Sequence, residues 1–563
     1  MRYVLVALAF TLSLSSVRAQ QPQQPSLMPE GTASISGTVI AADTRKPIAG
    51  AVVEIVIYNN ISNRFRQVTT DAEGKFEFTK LPAGQYQIAS QATRYLRMQY
   101  GQQQPGSVGL LNPARTIELA ENQTFTTADF ALSGYCAIEG RVVDEFGDPV
   151  PNVAIQVSQV QYAGRRRLMP ANSSADAGPV RPTDDLGRFR IGGLMPGDYY
   201  VEALSGAFAD PNAAGGFAVT FYPGTSKASA AQVVTVSAGR DATGLSFALE
   251  PAPGARVSGT VLDGEGRPIQ GGTIMLMPSE TTGASLFMIV RDTMGPGGRF
   301  TFRNVPPGVY TLQAFGPPPP GGPGNLGAAA FGYQTFTVNG RDLDSLVVRV
   351  PAPRMLRGRI TFDGDMSKLP RPADIQISPR PVNFESSPVG GGPAPVTIRD
   401  DWTFEVAAMS GLRAMIVNNR QGWILKRVML NGQDVTDAAL DFREHDVDGV
   451  EIVLTTRVST VTGSVVDAAD KPLADYTVIV FADDETKWTI WSRYVTFGRT
   501  GPAGAFTMMG LPAGTYLAVG VPSAINGEWQ DPEYLKKLRA SAGVVRFALA
   551  DEGSASVRVV VRK

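Results

Sequence analysis

Nucleophilic and acid–base chemistry calls for a histidine, a thiol or a positioned pair of carboxylates. This chain of 563 residues carries one histidine, His445, and one cysteine, Cys136. A zinc centre of imidazole or thiolate ligands needs three or four of them, so the composition excludes one. A serine or cysteine triad would need His445 as its base. That histidine lies in Arg443-Glu444-His445-Asp446-Val447-Asp448-Gly449, which reads as a solvated, charged turn. The carboxylates of Asp446 and Asp448, and of Asp483-Asp484-Glu485, could hold calcium through oxygen. Neither run has the ligand spacing of an EF loop, and both read as turns. No Gly-x-x-x-x-Gly-Lys-Ser/Thr phosphate loop occurs. No catalytic residue, metal or cofactor is expected. The residues with most to offer a ligand are aromatic: Trp488, Trp491 and Tyr494, with Trp529 further on. Exposed, they would stack on sugar rings. Buried, Trp488 and Ile490 would share a face and fill a core, and both readings stand open at this level.

The elements that hold these residues recur along the chain. Asp71-Ala72-Glu73-Gly74-Lys75-Phe76-Glu77-Phe78 leads to Leu81-Pro82-Ala83-Gly84-Gln85-Tyr86. The phrase returns at Asp185–Ile191 with Leu194–Tyr199, at Gly298–Phe302 with Val305–Tyr310, and at Gly504–Thr507 with Leu511–Tyr516. Upstream of each stands a second signature opened by Gly37, Gly140, Gly259 or Gly463, followed by Pro47, Pro149, Pro268 or Pro472. The runs Val53–Ile57 and Val153–Val157 alternate with a period of two, the mark of strands with one buried face. Phe76 and Phe78 lie two apart and should share the core face. Asp and Gly supply the turn, because Asp bonds its own backbone and Gly tolerates positive φ. The tyrosine after the second turn should bury its ring and bond backbone near that turn, as a tyrosine corner does. A fourth, degenerate copy opens at Gly358, places Trp402 in the first aromatic slot of its Asp400–Val406 strand and lacks the proline–tyrosine phrase. Spacings near a hundred residues make each copy a domain. The expected fold is all-β: a semi-rigid string of about five immunoglobulin- or transthyretin-like antiparallel sandwiches, with one short helix over 531–539 and an Asn431-Gly432 hairpin turn.

The pairing of G-x-V-x-D and G-x-P with D-x-x-G-x-F-x-F and L-P-x-G-x-Y resembles the carboxypeptidase regulatory-like domain. That resemblance implies a transthyretin-like, seven-stranded sandwich related to Cna B-type folds, of a kind often called carbohydrate-binding-like and typical of secreted bacterial repeat proteins. Its motif residues are turn and core residues and carry no active site. Some Cna B-type relatives form Lys–Asn cross-links assisted by a glutamate. Here Lys80, Gly193, Asn304 and Gly510 precede the proline phrase, so the resemblance implies no such bond.

Lysine and arginine total 51 against 52 aspartates and glutamates, so no basic footprint for nucleic acid exists. Residues 1–19 read as a signal peptide: Arg2, an apolar run from Tyr3 to Leu14, and Val17-Arg18-Ala19 before the cut. With one cysteine no disulfide forms within the chain, and Cys136 reads as a small buried side chain. The expected organisation is a flexible leader over 20–33 and sandwiches over 34–133, 134–251, 252–352, 353–456 (degenerate) and 457–563. Gly164–Arg181, Pro317–Gly324 and Gly390–Pro393 read as loop insertions. The chain is expected to be secreted, periplasmic or surface-bound, with no membrane span after cleavage. The expected function is non-catalytic binding of carbohydrate, by fold analogy. The alternatives are a spacer or interaction scaffold that meets cell-envelope proteins, or an accessory to a separate enzyme or transporter.

Overall fold

The computed structural model describes residues 30–57, 64–102, 114–162, 166–171, 182–204, 216–279, 290–317, 330–382, 388, 394–419, 422–501, 503–522 and 527–562. The signal-peptide reading, most of the leader, and all or nearly all of the insertions at 317–324 and 390–393 lie outside them. The chain divides into two compact units, one holding repeat 1 and the other repeats 2 to 5.

Each repeat closes around its own core. In repeat 1 the opening strand Ala33–Ala41 pairs antiparallel with Lys75–Leu81. The facing sheet sets Val52–Ile57 between Arg64–Thr69 and Gly84–Gln91. Repeats 2, 3 and 5 repeat this plan. Every repeat departs from the antiparallel expectation at its opening strand, which runs parallel to the last strand, as Val39–Ala41 does beside Phe130–Leu132. The crossover between sheets brings the chain back alongside its start in the same direction.

The recurrent residues have physical reasons. Gly37, Gly140, Gly259, Gly358 and Gly463 each pair with an aromatic: Phe76, Phe189, Phe300, Phe404 and Phe506. In repeats 2 to 5 a Cβ at the glycine would meet both that ring and a carbonyl of the last strand. Phe76, Phe78, Phe189, Ile191, Phe300, Phe302, Phe506 and Tyr516 are all buried, as the alternation requires. Asp71 and Asp184 each accept two backbone N–H groups, from residues i+2 and i+4, and so close the turn into the aromatic strand. The positions before the proline phrase, which vary in residue type, share a left-handed backbone. Lys80, Gly193, Asn304, Ala408 and Gly510 have φ between 55° and 83°. A register shift accompanies this kink in repeats 1 to 4.

Four tyrosines form corners. The hydroxyls of Tyr86, Tyr199, Tyr310 and Tyr516 donate to the carbonyls of Pro82, Met195, Pro306 and Pro512 at 2.5, 2.7, 2.9 and 2.7 Å. Burial pushes Tyr86 and Tyr199 up to about 12.

Repeat 4 differs in three ways. Its strand Ile424–Leu430 leaves the tyrosine-side sheet and joins the opening-strand sheet beside Val447–Thr455, which makes six strands against three. Arg413 takes the place of the corner tyrosine, and its Nε donates to the carbonyl of Ser410 at 2.7 Å. Trp402 sits two residues earlier than its expected slot. Phe404 faces Gly358, and Trp402 takes the turn position that Gly74 holds in repeat 1, with φ of 65°. Its ring packs edge-on against Phe362 at 4.6 Å.

Repeat 5 carries a second apolar cluster on the outer face of its sheet. Helix α1 (Pro532–Arg539) lies there with Leu535 and Leu538 buried, capped by Asp531, whose carboxylate accepts from the Glu533 N–H. Residues 166–170, expected in a loop insertion, instead form a strand paired with Ser158–Tyr162. Arg166 then reaches Asp531 at 2.6 Å. A Cβ on Gly527 would meet the carbonyl of Tyr162 at 2.8 Å. Repeats 2 and 5 therefore touch, which an expectation of neighbour contacts alone did not include.

Candidate ligand cleft

The chemistry-bearing residues that the sequence singles out do not converge. His445 has 86% of its side chain exposed beside Glu444. Cys136 is buried in repeat 2, its Sγ 3.1 Å from the carbonyl of Ser237, and burial pushes its thiol up. The acidic runs are engaged by arginines and turns. Asp446 accepts from the Met355 N–H, and Arg357 pairs with both Asp446 and Asp448. Asp483 pairs with Arg539 and Arg546, Glu485 with Arg539, and Asp484 caps the short turn at Thr486. Among the described residues no group of three His, Cys, Asp or Glu could hold a metal ion.

The four aromatic candidates occupy two different settings. Trp488 is 4% exposed, packs edge-on against Phe481 at 5.5 Å, and donates its indole N–H to the carbonyl of Ala482 at 2.7 Å. Trp529 packs on Phe497 at 4.6 Å in the same cluster. Trp491 is 36% exposed and reaches into repeat 4: its indole N–H donates to the carbonyl of Pro381 at 3.0 Å, with Arg380 over its ring at 5.6 Å. Tyr494 also faces repeat 4, its hydroxyl donating to Asp437 at 3.1 Å. These residues form no single stacking platform. Two lie in the cluster under α1 and two bind the last repeat to its neighbour.

Between repeats 4 and 5 opens a polar cleft of about 460 Å³, and Tyr494 lines it. Its floor is Arg493, which grips Asp437 through two N–H groups at 2.9 and 3.1 Å and donates a third to the carbonyl of Lys426 at 3.3 Å. Its wall is Lys426, held between Asp363 at 2.5 Å and Glu552 at 3.0 Å. The hydrogen bond and charge of Lys426 hold the Asp363 carboxyl below its usual range. Arg427, Arg457, Asp434 and Asp551 complete the polar lining. The turn Gly510–Ala513, part of the proline phrase of repeat 5, closes one end. Sequence reasoning named Tyr494 and missed these charged residues. The only signal was the Asn431-Gly432 turn, whose two residues have φ of 51° and 77° and which leads into Asp434.

Residues 34–133 match the family model of the carboxypeptidase regulatory-like domain. No curated protein matches the chain. Among solved structures, a streptococcal ancillary pilin is 13% identical over 57% of this chain and 98% of its own, with a TM-score of 0.20. The minor pilin of Streptococcus agalactiae is 13% identical over 39% of this chain and 97% of its own, with a TM-score of 0.21. A candidate carbohydrate-binding protein from Pseudomonas aeruginosa is 12% identical over 17% of this chain and 89% of its own, with a TM-score of 0.13.

Proposed function

We propose that this chain is a non-catalytic binding protein of the periplasm, cell surface or exterior, with carbohydrate as its ligand class. The observation that carries the reading is the cleft between repeats 4 and 5. It has the size of a small-molecule site and is lined by side chains from two domains. Lys426 and Arg493 are set in ion pairs with Asp363 and Asp437 rather than as a nucleophile with a base. The signal-peptide reading of residues 1–19 supports export, and no helix among the described residues is long and apolar enough to cross a membrane. A glycan array probed with the purified chain should give ligands, and incubation with the same glycans should leave them intact. Turnover of a glycan or peptide, abolished by one carboxylate substitution, would overturn the reading.

A second reading, a spacer or interaction scaffold at the envelope, is favoured by the use of Trp491, Arg493 and Tyr494 to join repeats 4 and 5. An empty glycan array together with capture of a defined envelope protein would select it.

A further inference from the structure

We propose that the cleft between repeats 4 and 5 takes a neutral oligosaccharide, read by hydrogen bonds from Arg427 and Arg457 and to Asp434 and Asp551, without ring stacking. The inference rests on the binding reading above and assigns its site and mode.

The lining residues fall into two sets. Arg493, Asp437, Lys426 and Glu552 are engaged with one another or with repeat backbone, and they set the distance between the two domains. The other four are exposed and more loosely engaged. Arg427 is 4.0 Å from Asp434 and 56% exposed. Arg457 is 3.5 Å from Asp363, which already holds Lys426, and is 58% exposed. Asp434 uses one oxygen, Oδ1, on the Thr436 N–H and hydroxyl. Asp551 makes no ion pair or side-chain hydrogen bond among the described residues.

Two exposed guanidiniums and two exposed carboxylates balance in charge, so the cleft does not select an anion or a cation. They offer donors and acceptors side by side. A sugar hydroxyl both donates and accepts, and adjacent hydroxyls match such a mixed surface. Hydrogen bonds to charged partners are also the stronger kind.

Stacking is excluded by the state of Tyr494, the one aromatic residue in the lining. Lys487 sits over its ring at 4.9 Å, and its hydroxyl is held by Asp437. An extended peptide is disfavoured for a different reason. It would add along the outer edge of strand Ile424–Leu430. That edge is already met: Arg493 donates to the carbonyl of Lys426, the Val435 N–H donates to the carbonyl of Val428, and the Val428 N–H donates to Thr436.

The test is binding of the full chain to immobilised neutral oligosaccharides, uronate-containing oligosaccharides and a poly-glutamate peptide, at low and high salt. The variants are Arg457→Ala, Asp551→Asn, the pair together, and, as a control outside the lining, His445→Ala. All three positions are surface side chains, and melting curves check that each variant folds. The expected result is that neutral oligosaccharides bind with little salt dependence. Each cleft variant should weaken binding by about tenfold, the pair by more, and His445→Ala should leave it unchanged. Failure of every glycan to bind would overturn the binding reading itself. Glycan binding untouched by the cleft variants, or lost with His445→Ala alone, would overturn the assigned site while leaving that reading in place. Binding only of uronates or of poly-glutamate, falling steeply with salt, would overturn the neutral-ligand assignment.

Discussion

The tyrosine corner is the smallest unit of this fold, and its energetics are testable at one atom. Tyr310 has a buried ring and gives its hydroxyl to the carbonyl of Pro306. Removing the hydroxyl leaves that carbonyl without its partner. Tyr310→Phe should therefore destabilise repeat 3 by about 1–3 kcal/mol, read from urea unfolding. An unchanged midpoint would mean that water replaces the bond. Glu202 of repeat 2 offers a second residue-scale test. Its side chain is fully buried, Ser158 donates to its Oε1 at 2.5 Å, and its Oε2 has no partner among the described residues. Burial raises it from 4.5 to about 7, against the opposing hydrogen bonds of Ser158 and Gln156. Below pH 4.5 folded and unfolded chains both hold the proton. Between pH 4.5 and 7 only the folded chain holds it, so stability falls as pH rises, and the loss is complete above 7. The total is roughly 3 kcal/mol. Glu202→Gln should flatten this fall between pH 5 and pH 8, and equal slopes in the two proteins would refute the assignment.

Turns decide how strands meet, and two glycines of repeat 2 separate strain from crowding. Gly187 has φ of 69°, and a Cβ there would strike the carbonyl of Val142. Gly147 has φ of 88°, with nothing within 4 Å of a Cβ. Gly147→Ala should cost only the left-handed penalty, about 1–2 kcal/mol. Gly187→Ala should cost clearly more, because the aromatic strand must also move. Equal losses in melting experiments would show that the carbonyl contact relaxes freely. Trp402 holds the corresponding turn position of repeat 4 against the same left-handed penalty. Its packing on Phe362 is what offsets that strain.

Within the second unit, repeat 2 meets repeat 5 through Arg166 and Asp531, 365 positions apart. Asp531 is the cap of α1, so the pair joins a hairpin of one domain to a helix end of another. Arg166→Ala should speed hydrogen exchange across Pro532–Arg539 without affecting repeat 3. Unchanged exchange in α1 would show that the helix is held by its own repeat alone, through Leu535 and Leu538. His445→Ala should leave ligand binding unchanged, since that side chain is solvated beside Glu444.

The features legible in the sequence are those whose cause is local. Asp71 bonds residues two and four positions on, Phe76 and Phe78 share a face by alternation, and Tyr516 reaches a carbonyl four residues back. Such patterns repeat wherever the phrase repeats, so the sandwiches and their cores could be read from spacing. The parallel pairing of first and last strands, the sheet change in repeat 4 and the two-residue displacement of Trp402 could not, because each depends on strands brought together across a whole domain. The cleft is further still from the sequence. Its ion pairs join Lys426 to Glu552 and Asp437 to Arg493, residues of two domains whose separations follow no period. The same tertiary packing decided the aromatic cluster. Chain composition allowed four stacking rings; the second cluster of repeat 5 covered Trp488 and engaged Trp529, and the junction with repeat 4 engaged Trp491 and Tyr494. A side chain's type states what it can bond, and only the approach of a distant domain determines which partner reaches it first.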